Sequence, residues 1–405
     1  MDFIIIAHKY LPYDKVGATR WIEISKELAS LGHNINIITV PRERKSNTII
    51  KQNKNIQVYN TKSDCFYKLV EKNYSNPVFN SIFKNFISLF GKIIWYDDNA
   101  QFWKPILHKK ISELLMKYPK AKIIATGAPF QACKHTMEIC NSIGYTDYYL
   151  DFQDPWASDP LRKYYFNWMR KKVFSYEKST IEKSPNNIFV TAGLKQIMNS
   201  ESKNNSFIIE NGHGFPLLNN RKRVHKSKPK DKRILYIGTL ANGRDEVFIK
   251  YLEETQGWPN SFNCKLDIYG RVSTRFRFWL SKTKINNLNI NLCNHISKEM
   301  ISESAHKYHY GLQLNAEEYP YLVSTKLYEY PALGLPIISI NAGGEIEGIV
   351  EKYQIGVSIN INSFNLDKLD FAFSKKESNY DEHLFQYAKM SSWKMRTQEL
   401  LNIIQ

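Results

Sequence analysis

The sequence predicts an α/β protein made of two doubly wound, Rossmann-like domains that face a cleft, followed by a C-terminal helix. Short β-branched runs alternate with helix-length stretches along most of the chain. The alternation stops in a basic, proline-containing segment at 216–232 and then restarts, which indicates a linker. With 405 residues, 43% of them hydrophobic, the chain is long and apolar enough for two such domains.

The N-terminal domain, predicted at 1–215, begins with a β-α-β unit. The strand "FIIIA" is followed by a loop, a helix that starts at Trp21, and the strand "NINIITV". Ile24, Leu28 and Leu31 continue the apolar helix face of Trp21. Further strands are predicted in "AKIIATGAPF", "YYLDFQDPW", "NNIFVTAGLKQIM" and "FIIENGHGF". Each breaks into a polar or glycine loop, and such loops at strand carboxyl ends are where open α/β sheets bind ligands.

The second domain, predicted at 233–380, repeats this pattern after the linker. Its strands are predicted in "RILYIGTL", "CKLDIYG", "NINLCNHIS", "YGLQLN" and "LPIISI". The segment 381–405 predicts one amphipathic helix that packs back across the domains.

The net charge of +17 favours an anionic partner: a phosphate-bearing small molecule, an anionic membrane surface or nucleic acid. No helix-turn-helix, RNA-recognition or zinc pattern is present, so no nucleic-acid partner is expected, although a basic nucleic-acid binder stays open as an alternative. The five cysteines form no C-x-x-C pair, which is typical of reduced core thiols in the cytoplasm. No apolar run reaches the ~18 residues of a membrane span. We therefore expect a cytoplasmic protein, with peripheral attachment to the inner face of the cell membrane as a further option.

The stretch "STKLYEYPALGLPIIS" at 324–339 is the strongest candidate for a ligand site. Ser324 or Thr325 can cap a helix whose free N–H groups, together with Lys326, suit a diphosphate. Glu329 lies one turn further on, and a carboxylate can accept both hydrogen bonds of a ribose diol. The alternative is that Lys326 and Glu329 form an exposed i, i+3 ion pair without function.

In its second half the chain resembles the donor domain of family 4 glycosyltransferases, retaining enzymes with the two-domain GT-B fold. There a helix with K-x-x-E-Y precedes A-x-G-x-P-I-I, matched here by Lys326, Glu329 and Tyr330 and by the segment that follows them. "WYDDNAQFW", "AKIIATGAPF" and "YYLDFQDPW" resemble a surface-polysaccharide branch with a D-F-R-D-P-W motif. "FIIENGHGF" and "ILYIGTL" stand where the family has I-P-N-G and Y-V-G-R-L.

The resemblance implies a hexosyltransferase that uses a nucleotide sugar, a UDP-sugar rather than a GDP-sugar, with no further cofactor and no metal. The acceptor it implies is a glycan or lipid-linked glycan of a bacterial surface polysaccharide such as capsule or O-antigen. The implied catalytic residues are Asp154, Arg244 and Lys326. The implied donor-binding residues are Gly17, Gly238, Thr239, His295, Ile296, Ser324, Thr325, Lys326, Leu327 and Glu329.

Several of these residues have simpler explanations. Asp154 can be a helix N-cap before a proline. Arg244 can be a solvated loop arginine, Gly17 an ordinary turn glycine and His295 a strand-end cap. Lone histidines such as His8 and His213 are more often structural than catalytic.

Two departures from the family pattern leave other functions open. Tyr321 stands where many members carry the first glutamate of E-x7-E, and Gln153 replaces the arginine of D-F-R-D-P-W. A catalytically silent GT-B protein and a sugar-nucleotide epimerase of the same architecture are the alternatives, although no acid and base pair can be assigned for the epimerase.

The segment "PVFNSIFKNFISLFGKIIW", at 77–95, predicts a helix with bulky aromatics and interspersed lysines. Such a helix suits an anionic membrane surface, where Phe83 and Phe90 would be inserted, but a core helix would show a similar pattern.

Overall fold

The computed structural model describes most of the chain as two compact units. The described residues are 1–11, 16–40, 49–61, 93, 96–199, 204–217, 231–258, 262–363, 369, 373 and 377–405. Unit 1 comprises Met1–Glu210 with Arg396–Gln405, and unit 2 comprises Asn211–Met395. Of the segment 77–95, which is predicted to dock on membranes, only Ile93 is among the described residues. Residues 218–230 of the predicted linker also lie outside them.

Unit 1 is built on one sheet with helices between its strands. The strands are β1 (Asp2–Ile6), β2 (Asn34–Thr39), β3 (Ile49–Asn53), β4 (Ile56–Asn60), β5 (Lys122–Thr126), β6 (Tyr148–Phe152), β7 (Asn186–Phe189) and β8 (Asn205–Ile208). The described helices are α1 (Val16–Ser30), α2 (Lys104–Lys117), α3 (Gln131–Ser142), α4 (Asn167–Lys183) and α5 (Ala192–Asn199). The order is β3-β4-β2-β1-β5-β6-β7-β8, parallel except for the edge pair β3 and β4.

Unit 2 has a sheet of six parallel strands. These are β9 (Asp231–Ile237), β10 (Asn263–Tyr269), β11 (Leu288–Cys293), β12 (Tyr310–Leu314), β13 (Ile337–Asn341) and β14 (Gly356–Asn360). Its described helices are α6 (Arg244–Glu254), α7 (Thr274–Lys282), α8 (Lys298–Ser304), α9 (Lys326–Ala332), α10 (Glu345–Tyr353) and α11 (Asp381–Met390). The order β11-β10-β9-β12-β13-β14 is that of a doubly wound nucleotide-binding sheet. The predicted α/β class with two doubly wound sheets is thus confirmed.

Two elements differ from the sequence prediction. Helix α1 starts at Val16 rather than Trp21, and Leu31 lies beyond its end with 54% of its surface exposed. The single predicted tail helix is two helices, α11 and α12 (Trp393–Ile404), separated at residues 391–392. From Arg396 onward the chain belongs to unit 1, where the Arg396 guanidinium donates to Glu210 Oε2 at 2.6 Å.

Candidate functional site

The site of unit 2 lies where its strand order reverses, between the carboxyl ends of β9 and β12. Open α/β sheets bind ligands at this point because the loops there diverge to opposite faces. Gly238 follows β9 with a φ of 114°, and Gly270 follows β10 with a φ of 138°. A Cβ on Gly270 would come within 2.3 Å of the Gly238 carbonyl oxygen, so the two loops pack backbone to backbone. Glycine is therefore required at Gly270.

Lys326 is buried at this edge, with 9% of its surface exposed. Its Nζ lies 5.0 Å from the centre of the Tyr236 ring and 3.4 Å from Ser324 Oγ. A Cβ on Gly238 would lie 3.5 Å from the same Nζ. Burial lowers the pKa of Lys326 to about 8, with a contribution from the charge of Arg244.

Arg244 supplies the second cation and begins helix α6. Its Nε is buried and has no hydrogen-bond partner among the described residues. Among the described residues of unit 2, the ion pairs are formed by other cations, including Arg233, Lys250 and Arg275. In the part of the chain that the structure describes, neither Lys326 nor Arg244, called here the cation pair, forms an ion pair. The charge of Arg244 acts on Lys326, and the charge of Glu329 opposes it only in part. This arrangement favours an anionic ligand.

Glu329 lies one turn along α9 from Lys326, as the sequence predicts. Burial raises the pKa of its carboxyl, while Lys298, Lys326 and a hydrogen bond from Thr325 oppose that rise. Lys298, the first residue of α8, was not among the predicted site residues. It lies on a different element, so no local pattern could connect it with Glu329.

Tyr330 holds α9 against the sheet. Its ring covers Gly311 of β12, where a Cβ would come within 2.4 Å of the ring. Its hydroxyl accepts a hydrogen bond at 3.1 Å from the amide of Ile237, the last residue of β9. The tyrosine of K-x-x-E-Y thereby fixes Lys326 and Glu329 relative to the loop at Gly238.

Of the two capping residues predicted for α9, only Ser324 bonds the start of the helix through its side chain. The helix has seven residues and includes Pro331, and Thr325 makes no capping hydrogen bond with its side chain. Ser324 Oγ accepts from the amide of Lys326 at 3.4 Å. Leu327 is wholly buried in the core, so its side chain is not available to a ligand. The positive charge of this edge thus comes from the cation pair.

The remaining predicted residues of unit 2 lie on the same edge of the sheet. Thr239 is half-buried, and its carbonyl accepts from the Tyr236 hydroxyl at 3.0 Å. His295 follows β11 and is exposed, whereas Ile296 is partly buried against the core.

Position 321 holds a buried tyrosine instead of a carboxylate. Tyr321 is 8% exposed. Of the two nearby glutamates, Glu317 pairs with Lys250, and a Cβ on Gly243, next to Arg244, would lie 2.9 Å from Glu318 Oε2. Neither lies eight residues before Glu329, where E-x7-E has its first glutamate.

Unit 1 has a buried ion pair close to its own carboxyl edge. Asp151 on β6 accepts from Arg20 at 3.0 Å, from the Trp21 indole at 2.8 Å and from Thr126 Oγ1 at 3.1 Å. Gln153 donates to Thr126 Oγ1 at 2.8 Å. Arg20 is therefore a structural residue rather than a ligand contact.

Asp154 is exposed just beyond the end of β6. No helix begins at the proline that follows, and α4 starts only at Asn167, so the N-cap explanation is wrong. Gly17 lies in the first turn of α1 rather than in the preceding loop. A Cβ there would have no heavy atom within 4 Å, so packing does not require this glycine.

A buried network joins the two sequence motifs of unit 1. Asp97 accepts from the Trp156 indole at 2.8 Å and from the side chain of Gln131 at 2.5 Å, and it pairs with Arg162. Asp98 accepts from the Gln131 amide at 3.0 Å. Burial and the adjacent Asp97 charge raise the pKa of Asp98 to about 7. The "YDDN" and "DPW" motifs thus stabilise each other.

The two lone histidines are structural. His8 is buried, with its ring 5.2 Å from that of Trp103 in an edge-to-face arrangement, and burial lowers its pKa to about 4. His213 Nε2 bonds the Ala388 carbonyl oxygen at 2.7 Å.

The described residues contain no group of three or more His, Cys, Asp or Glu side chains that could hold a metal ion. Among their helices, none combines the length and apolar character needed to cross a bilayer.

Comparison with solved structures identifies the architecture. Sucrose-phosphate synthase from Thermosynechococcus elongatus is similar over 99% of this chain and 98% of its own, with a TM-score of 0.67 and 10% identity. The chain has the GT-B fold. The structure of WaaG, a glycosyltransferase involved in lipopolysaccharide biosynthesis, covers 100% of the chain and 99% of its own, with a TM-score of 0.57 and 14% identity. An E. coli structure described as trehalose-6-phosphate bound with UDP-2-fluoro glucose covers the same shares, with a TM-score of 0.61 and 10% identity. At these identities the likeness is one of fold. No family model and no curated protein sequence matches the chain.

Proposed function

We propose that the protein is a retaining glycosyltransferase that moves a hexosyl group from a nucleoside-diphosphate sugar to a glycan or lipid-linked glycan acceptor. The observation that carries this proposal is the cation pair. Among the described residues neither cation forms an ion pair, and only the charge of Glu329 offsets part of the burial of Lys326. Burying cations in this way costs free energy, and a bound diphosphate would offset part of that cost. Their place at the switch point of the sheet supports a nucleotide as the source of that diphosphate.

In this proposal Lys326 and Arg244 bind the diphosphate, and Glu329 accepts hydrogen bonds from the ribose. Gly238 lets the diphosphate approach the backbone, and His295 and Ile296 lie toward the base. A UDP-sugar is favoured as the donor because one structure of the same fold is described as bound with UDP-2-fluoro glucose.

The reaction proceeds by front-side attack. The bond between the anomeric carbon and the phosphate oxygen breaks, and the acceptor oxygen forms its bond on the same face. The acceptor proton passes to the departing phosphate oxygen. The cation pair stabilises the charge that develops on the diphosphate, so a divalent ion is not needed for that purpose and EDTA should leave turnover unchanged. Asp154 contacts the acceptor or the transferred sugar.

A role in surface-polysaccharide synthesis at the inner face of the cell membrane is part of the proposal. It is supported by the sequence motifs of unit 1 and by the lipopolysaccharide role of one structural neighbour. A catalytically silent nucleotide-binding protein is the second candidate, favoured by the buried Tyr321 in place of a carboxylate.

A thermal-shift panel of UDP, GDP, CMP and ADP, followed by turnover assays with the sugars of the best nucleotide, tests both candidates. We expect UDP to raise the melting temperature, since a ligand that binds only the folded state stabilises it by mass action. The Lys326→Ala variant should lose this shift, whereas Lys282→Ala, a change of an exposed lysine on α7, should keep it. Binding without turnover would favour the silent protein, and indifference to all nucleotides would contradict both candidates.

A further inference from the structure

Unit 1 exposes an unusual concentration of aromatic side chains around the start of α4. Tyr165, Phe166, Trp168 and Phe174 are each about half exposed, at 55%, 49%, 51% and 52%. Single exposed apolar residues are normal on soluble proteins, but four large rings that are half exposed within ten residues of sequence indicate an interaction site.

The packing of α4 keeps these rings outside. The inner face of the helix is already occupied by Met169, Val173 and Ile181, all buried. Glu177 fixes the same face by accepting from the amide of Ala157 at 2.7 Å. Because the rings of Trp168 and Phe174 lie off this face, they cannot turn inward without displacing core side chains.

Basic residues are close to these rings in the sequence. Lys163, Arg170, Lys171 and Lys172 are exposed, and the sequence from 160 to 176 contains no acidic residue. Lys172 Nζ lies 5.5 Å from the centre of the Tyr96 ring, which in turn lies 5.5 Å from the Trp168 ring. These four cations and four exposed rings are called the aromatic–basic surface below.

We propose that the aromatic–basic surface binds the anionic surface of a lipid bilayer. Rings of this size suit the interface between headgroups and acyl chains, and lysine and arginine suit lipid phosphates. Charge argues against a second copy as the occupant, because a two-fold symmetric contact would place the same cations opposite one another. The surface would present unit 1 to a lipid-linked acceptor, and this consequence alone rests on the proposed function.

Liposome co-sedimentation without nucleotide tests the proposal, with vesicles of phosphatidylcholine alone or mixed with phosphatidylglycerol. We expect binding only when phosphatidylglycerol is present, and weaker binding in high salt. Lys171→Gln with Lys172→Gln should weaken binding about 30-fold, the loss expected for two surface lysines near an anionic membrane. Trp168→Ser with Phe174→Ser should also weaken it strongly, because the rings supply the apolar contact.

The matched control is Phe278→Ser, which removes a ring that is 62% exposed in unit 2. This control should bind vesicles like the parent protein, and every variant should keep the parent's UDP-induced thermal shift. A failure of the lipid proposal can therefore be told apart from a failure of the nucleotide proposal. Equal binding to both kinds of vesicle, or binding that ignores both double variants, would overturn the proposal. The proposal would also be overturned if the protein bound no vesicles and instead formed a dimer, or a complex with single-stranded RNA, that the Trp168→Ser, Phe174→Ser double variant does not form.

Discussion

Lys326 loses its proton at a lower pH than an exposed lysine does when no ligand is present. Burial and the charge of Arg244 lower its pKa to about 8, and a bound diphosphate would favour the ammonium form. UDP-glucose affinity should therefore be level below about pH 7 and should fall by up to about tenfold per pH unit above about pH 8. Isothermal titration calorimetry across this range measures the change.

The Lys326→Arg variant separates this titration from others. Arginine keeps its charge throughout the range, so the break near pH 8 should disappear. Lys326→Ala should bind more weakly at every pH. The same break in Lys326→Arg would show that another group titrates.

Arg244 should act mainly on the transition state, where the leaving diphosphate gains charge. Arg244→Ala should lower kcat by about a hundredfold or more, comparable to the loss of one oxyanion donor. Arg275→Ala is a matched control, because Arg275 is mostly exposed and pairs with Glu246 on the same part of unit 2. Steady-state kinetics with a UDP-sugar compares the two variants, and equal rates would remove Arg244 from the proposed mechanism.

At the scale of elements, the Arg20–Asp151 pair joins α1 to β6 and to the end of β8. Arg20 also donates to the carbonyl oxygens of Ile209 and Glu210 at 2.9 and 2.8 Å. Arg20→Met should lower the free energy of unfolding by about 3–5 kcal/mol, because it leaves the buried Asp151 carboxylate without its cation. Urea denaturation measures this loss.

The control for this change is Lys26→Met on the same helix. Lys26 forms an exposed pair with Glu23, so the loss should be about 0–1 kcal/mol. The double variant Arg20→Met with Asp151→Asn should recover part of the stability lost in Arg20→Met. If Arg20→Met were as mild as Lys26→Met, the pair would not stabilise unit 1.

At the scale of the whole molecule, the sequence predicts the central strands of both sheets better than the strands near the sheet edges. Central parallel strands are covered on both faces, so they appear as continuous apolar runs such as "FIII" and "PIISI". The strands β3, β4 and β14 contain polar residues and were not predicted. The break in the tail falls at two serines, which do not interrupt the apolar pattern of the flanking helices.

The part of the candidate site that lies on a single helix, α9, could be predicted from the sequence. Lys326 and Glu329 lie three residues apart, and the family resemblance links them with Gly238 and Arg244. Lys298 and Tyr236 could not be found in this way, because only the fold brings Lys298 of α8 and Tyr236 of β9 near α9. The rings of α4 show a similar limit, since an aromatic residue in an amphipathic helix is more often buried than exposed.

The division of unit 1 between the two ends of the chain has a consequence for its biosynthesis. Arg396–Gln405 are translated after all of unit 2, yet they include the arginine that bonds Glu210. On the ribosome, the synthesis of unit 2 is therefore completed before the last segment of unit 1 is added. A chain whose translation stops just after Met395 would contain all residues of unit 2 but not the last segment of unit 1. Premature termination at that point would therefore affect the unit whose synthesis began first.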